Sequence, residues 1–180
     1  MIRNEKTING ILDYSGIRKN VDVLDVACGT GVLIPDYLNR DVNKVIGMDI
    51  SPAMIEIARA KFSDPRLSFI NRDVEAFSFK ELFDCIVVYN ALPHFPEPGR
   101  LVKILSGILK HDGRLTIAHG MSRDKINAHH TGASAVSLPL MTETELAKLM
   151  GLYLNVDTVV SNDDMYVVSG FKEVKRRVLL

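Results

Sequence analysis

Short apolar runs and helix-period stripes alternate along most of the chain. Val21, Val23, Leu24 and Val26 form one run; Lys44–Asp49, Leu67–Asn71, Phe83–Val88 and Arg114–His119 form four more. Runs of this length rich in β-branched residues read as buried strands. Between them lie helical segments. Apolar spacing predicts one from about Thr30 to Asn39. Ser51 as N-cap and Pro52 as first residue open another, with Met54, Ile55, Ala58 and Phe62 on one face. A third is expected from about Gly99 to Leu109. Upstream, residues 6–18 set Ile8, Ile11 and Leu12 on one side of a short helix. Downstream, Thr142 and Glu145 form a capping box for a helix ending near Gly151. Leu152–Val160 and Met165–Phe171 then read as strands joined by Ser161-Asn162-Asp163-Asp164, an antiparallel hairpin.

Composition narrows the classes. At 180 residues the chain is expected to be one domain, spanning 1–180. Lys+Arg and Asp+Glu balance at 22 each, so no global field draws nucleic acid, and none is expected as a partner. Cys28 and Cys85 are the two cysteines, which points to a reducing compartment rather than a disulfide framework. No apolar run reaches the roughly 18–20 residues of a membrane span, and Met1–Lys6 has no signal-peptide core. The protein is therefore read as cytoplasmic, with no membrane partner. Lys175-Arg176-Arg177 reads as a solvated end.

The chemistry concentrates after the first run. Cys28-Gly29-Thr30-Gly31 breaks the strand with two glycines, which tolerate positive φ and admit close approach to the backbone. A dinucleotide fingerprint would carry a third glycine where Ile34 stands, and usually no acid at Asp25. Asp25 suits a ligand with a positive end better than a pyrophosphate. Asp49, twenty residues after Gly29 at the end of the next strand, is where an acid grips a ribose diol. Ile50 and Met54 flank a site for a flat base, or simply pack.

Asp25-Val26-Ala27-Cys28-Gly29-Thr30-Gly31 resembles motif I of the class I S-adenosylmethionine-dependent methyltransferases. The resemblance continues through Asp49, Asn71-Arg72-Asp73-Val74, Phe83–Leu92 and Leu109–Leu115, in order and over roughly residues 20–120. It implies an α/β fold: a seven-stranded, mostly parallel sheet with helices on both faces and an antiparallel C-terminal hairpin. It implies S-adenosylmethionine as cofactor and S-adenosylhomocysteine as product. Carried onto this chain, Asp25 compensates the ammonium and the Ala27, Cys28, Gly29 and Gly31 backbone admits the cofactor. Asp49 takes the diol, Asp73 the adenine amine, Val74 N–H a ring nitrogen, and Asn90 the ammonium. The first helix often covers the cofactor or substrate mouth in this family; packing on the sheet is the alternative.

Methyl transfer is a direct displacement that needs alignment and exclusion of water. A base is needed only where the nucleophile must lose a proton, and histidine suits that near neutral pH. His94, His119 and His130, with His129 as the neighbour, are the candidates. Residues 119–141 read as a lid-like insert, partly helical over Ser122–His130. A metal on His119, His129 and His130 is disfavoured, because adjacent residues point apart on a helix or strand. Without an added domain or basic face, a small-molecule acceptor is expected. A signature of Asn/Asp-Pro-Pro-Tyr/Phe is replaced here by Asn90-Ala91-Leu92-Pro93, which argues against amino-group methylation of DNA or protein. The alternatives are a non-catalytic S-adenosylmethionine-binding subunit or sensor, and an NAD(P)-dependent oxidoreductase. The acceptor, the atom methylated and the oligomeric state, including a homodimer, stay open.

Overall fold

The structure is a computed structural model describing residues 4–130 and 138–173, without the side chains of residues 129 and 130. The middle of the expected insert and the basic end at Lys175-Arg176-Arg177 fall outside the described residues.

Among these residues the strands form one seven-stranded sheet: β1 (Asp22–Val26), β2 (Lys44–Asp49), β3 (Leu67–Asn71), β4 (Phe83–Tyr89), β5 (Leu109–His119), β6 (Asn155–Ser161) and β7 (Tyr166–Phe171). Their order is β3-β2-β1-β4-β5-β7-β6. The first five are parallel, and β7 is inserted antiparallel between β5 and β6. This is the α/β fold expected from the sequence. Strand order reverses between β1 and β4, so a crevice opens at their C-terminal ends.

Both faces are covered, which is why the strands read as unbroken apolar runs. Val23, Cys85 and Val87 face α1 (Glu5–Tyr14) and α2 (Ile34–Asn39), through Ile8, Leu12, Ile34 and Tyr37. Leu24, Val26, Ile86, Val88 and Ile117 face α4 (Pro98–Gly107) and α6 (Glu143–Met150), through Leu101, Leu105, Leu146 and Met150. The helix α3 (Pro52–Lys61) buries Ile55 and Ala58 and is capped by Ser51, as the sequence predicts. The capping box at α6 is formed: Glu145 N donates to Thr142 Oγ1 at 3.2 Å, and Thr142 N to Glu145 Oε2 at 2.9 Å.

Element ends shift for identifiable reasons. α2 starts at Ile34 instead of Thr30, because Gly29 and Gly31 hold φ of +54° and +79° and the chain turns before it coils. β5 begins at Leu109, ahead of the expected Arg114; Asp112 at φ +60° bends the strand without ending it. β6 begins only at Asn155, since residues 151–154 turn over the end of α6. α1 stops at Tyr14, where Ser15 Oγ donates to Ile11 O at 2.7 Å. It packs on the sheet with Ile8, Ile11 and Leu12 buried.

Candidate functional site

The loop after β1 turns at Ala27, whose φ is +55°, and is tied to β2 by Cys28 N donating to Met48 O at 3.0 Å. Gly29 and Gly31 follow in the left-handed region. A Cβ on Gly31 would meet Phe62 at 2.7 Å, so a side chain is excluded by strain and by space. The loop parts two cavities that share Ala27. One, of about 320 Å³, lies over the ends of β1, β2 and β3 and is lined by Met48, Asp49, Ile50, Asp73, Val74 and Phe95, with Arg72, Glu75 and His94 at its polar edge. The other, of about 160 Å³, lies between β1 and β4 and is lined by Asp25, Ala27, Cys28, Gly29, Tyr89 and Asn90, with Thr30, Val32 and Leu33.

Asp49 organises the junction. Gly29 N donates to its Oδ2 and Ser51 N to its Oδ1, each at 2.8 Å. It is half-buried, and a carboxylate offers about four lone-pair sites, so acceptor capacity remains on the 320 Å³ side. Asn71 Nδ2 donates to the main-chain carbonyls of Asp49 and Ile50 and fixes the end of β2.

Asp25 is different. It is 2% exposed, and its Oδ2 has no hydrogen-bond partner. Burial, and then the charge of Asp49, push its carboxyl up to about 8. Cys28 is buried, and its thiol is pushed far above its usual range, first by burial and then by Asp25 and Asp49. It therefore lies in the cavity wall as a neutral thiol.

Asp73 is exposed and accepts from Glu75 N at 2.9 Å, which turns the chain so that buried Val74 lines the larger cavity. Ile50, 70% exposed, stands on the rim of that cavity; Met54, 40% exposed on α3, is on neither wall. Gly31 likewise shapes the loop from behind.

Asn90 sits at φ +54°; its N–H donates to Ala118 O and its Oδ1 accepts from Gly120 N, each at 2.9 Å. It locks the end of β4 to the end of β5. Asn90 and the candidate base His94, four residues apart in the segment after β4, fall on different cavities. Asn90 lines the smaller cavity, while His94 and Phe95 line the larger one. His119 is 3% exposed, its ring packed edge-on against Tyr166 at 5.9 Å between centroids, and it lines neither cavity. The reason is register: His119 follows Leu115 and Ile117 on the face that packs on α4 and α6. The side chains of His129 and His130 lie outside the described residues. Among the described residues no group of three or more His, Cys, Asp or Glu side chains is arranged to hold a metal ion. The start of the insert is docked: in α5 (Arg123–His130), Ile126 is buried, Arg123 Nε donates to Leu140 O at 3.0 Å, and Asn127 Oδ1 accepts from Leu140 N at 2.8 Å.

Tyr89 is the wall residue that sequence reasoning left without a role. Its hydroxyl lies where a Cβ on Gly120 would fall, so Gly120 is bare to admit it. The signal was present as a large polar-tipped ring at a strand end, but the glycine that admits it lies two residues past Ala118, its partner on β5.

A sheet of this order, with a glycine loop after β1 and acids at the ends of β1, β2 and β3, defines the Rossmann-like class of S-adenosylmethionine-dependent methyltransferases. The chain belongs to the methyltransferase domain family, whose model matches residues 23–113. Curated relatives include malonyl-[acyl-carrier protein] O-methyltransferase 1 of Ilyobacter polytropus, 34% identical over 105 residues, or 57% of this chain and 39% of that protein. Another is the ubiquinone/menaquinone biosynthesis C-methyltransferase UbiE of Yersinia pestis, 32% identical over 113 residues, or 59% of this chain and 45% of that protein. The chain thus spans less than half the length of these relatives. Among solved structures, the methyltransferase bound to the activator Trm112 in Haloferax volcanii superposes with a TM-score of 0.82 at 16% identity, covering 95% of this chain and 90% of that one. N-methyltransferase NodS of Bradyrhizobium japonicum, in complex with S-adenosylhomocysteine, gives 0.72 at 16% identity, covering 93% and 86%. At these identities the likeness is one of fold. Among the described residues no helix is long and apolar enough to cross a membrane.

Proposed function

We propose that the chain transfers a methyl group from S-adenosylmethionine to a small-molecule acceptor. The observation that carries this reading is the divided crevice at the strand-order reversal, with an apolar-walled cavity on one side of Ala27 and an acid-floored one on the other. Its residues fit the cofactor. Met48, Val74 and Phe95 suit an adenine; Asp73 and Val74 N–H suit its polar edge; Asp49 suits the ribose diol. Asp25, a buried carboxyl group with an uncommitted oxygen, suits the ammonium, with Asn90 beside it. When bound, S-adenosylmethionine supplies an activated methyl group; the chain's residues hold it, orient the acceptor and keep water out.

Where the nucleophile carries a proton, His94 is the base that the exposure favours, because it is exposed on a cavity wall. His119, buried against Tyr166, serves the strand end instead. The O- and C-methyltransferase names among the relatives support a small or carrier-borne acceptor.

Calorimetric titration with S-adenosylmethionine, S-adenosylhomocysteine and NADH tests the reading. Binding of the first two and not the third is expected. Asp49→Ala is expected to weaken S-adenosylhomocysteine at least tenfold through loss of charge-assisted bonds to the diol. Binding of NADH alone would overturn the proposal, and binding with no turnover on any acceptor would favour the sensor.

A further inference from the structure

Asp25 sits where a negative charge is hard to keep and easy to use. It is 2% exposed and its Oδ2 is without a hydrogen-bond partner. No cation among the described residues pairs with it. The titratable groups around it are acids or neutral protic groups: Asp49 at the end of β2, Cys28 in the glycine loop, Tyr37 on α2 and Tyr89 on β4, with Asp36 and Cys85 beyond them beside Tyr37. Asp49 holds two backbone N–H groups, and its charge opposes a second charge on Asp25. The Tyr37 hydroxyl is buried in the same face of the sheet, also without a hydrogen-bond partner. Yet Asp25 is not sealed away, because it lines the 160 Å³ cavity.

We propose that Asp25 carries a proton in the ligand-free protein and releases it when an ammonium enters the cavity beside it, so that cofactor binding and ionisation of Asp25 are one event. The balance is simple. The carboxyl O–H bond breaks and its proton passes to solvent. The ligand's ammonium keeps its three hydrogens, and the carboxylate left behind is its counter-charge. A buried neutral acid is exchanged for a buried ion pair, which a low-dielectric site tolerates far better than a lone charge. Burial and Asp49 both act in the required direction on the empty site. The consequence is selectivity. A ligand lacking the ammonium gains nothing from Asp25, and at neutral pH it displaces no proton.

The inference rests on S-adenosylmethionine occupying the cleft, and one experiment separates the two. S-adenosylhomocysteine is titrated calorimetrically into the wild-type chain at pH 7, in buffers of differing protonation enthalpy. The slope of heat against that enthalpy counts protons. Release of close to one proton per site is expected, with affinity rising up to about tenfold per pH unit below about pH 8 and levelling above it. 5′-Methylthioadenosine, which lacks the amino-acid end, is expected to bind without proton release. The isosteric Asp25→Asn is expected to bind S-adenosylhomocysteine with no release and no pH slope. Heats that are equal in every buffer for the wild type overturn the inference, as does undiminished release from Asp25→Asn. Failure of the wild type to bind S-adenosylhomocysteine overturns the reading of the cleft itself.

Discussion

Gly31 sits at φ +79° with Phe62 2.7 Å from the point where a Cβ would lie. Gly31→Ala is therefore expected to unseat the loop, lowering stability by about 1–3 kcal/mol and abolishing S-adenosylhomocysteine binding; thermal melts and titration check both. Asp25 gives a prediction of opposite sign. Its folded pKa is raised above the unfolded value of roughly 4. Its favourable contribution is thus complete below that value and is lost as pH rises to about 8. Asp25→Asn is expected to melt higher than the wild type at pH 8, with the gap closing towards pH 4, while binding cationic ligands less well. Both residues were legible as types: a glycine in a strand-ending turn and an acid before it. What the sequence did not disclose is that Asp25 is buried with no cation among the described residues paired to it. Its neighbours Asp49, Tyr37 and Tyr89 come from β2, α2 and β4, which only the fold brings around it. The burial of His119 was hidden for a related reason, since a strand-end histidine looks solvent-facing until its register with Tyr166 is known.

At the scale of elements, local capping chemistry predicted more than apolar spacing did. Ser51 and Thr142 start their helices where the residue types say, because the bonds that satisfy a first turn come from the neighbouring side chain. Thr142→Ala removes the hydroxyl that accepts from Glu145 N, leaving the backbone half of the box, and is expected to cost about 1 kcal/mol by chemical denaturation, without changing ligand affinity. Helix α2 was overextended by the sequence reading because Val32 and Leu33 keep the apolar period while the glycines hold the backbone in turns. β5 was cut short because His111-Asp112-Gly113 has turn chemistry. Gly113 can stay in the strand because its bare Cα clears the carbonyls of Lys110 and Phe83, 2.9 Å from where a Cβ would be.

Across the whole molecule, the family match ends at residue 113, ahead of β6, β7 and α6. The hairpin completes the core all the same: Tyr166, Val167, Val168 and Ser169 are buried, and Ser169 Oγ shares a hydrogen bond of 2.7 Å with Thr116 Oγ1 on β5. A chain ending before Asn155 would lose β7 and uncover the length of β5. It is expected to be insoluble or to lack cooperative melting, checked by yield and circular dichroism. The position of β7 also carries a consequence for biosynthesis. The ribosome finishes β5 roughly 50 residues before it finishes the strand that pairs with it. At a rate of about 5–20 residues per second, the nascent sheet waits roughly 3–10 s with an open, apolar edge. That interval is when chaperones have most to do, and slowing translation after residue 119 would lengthen it.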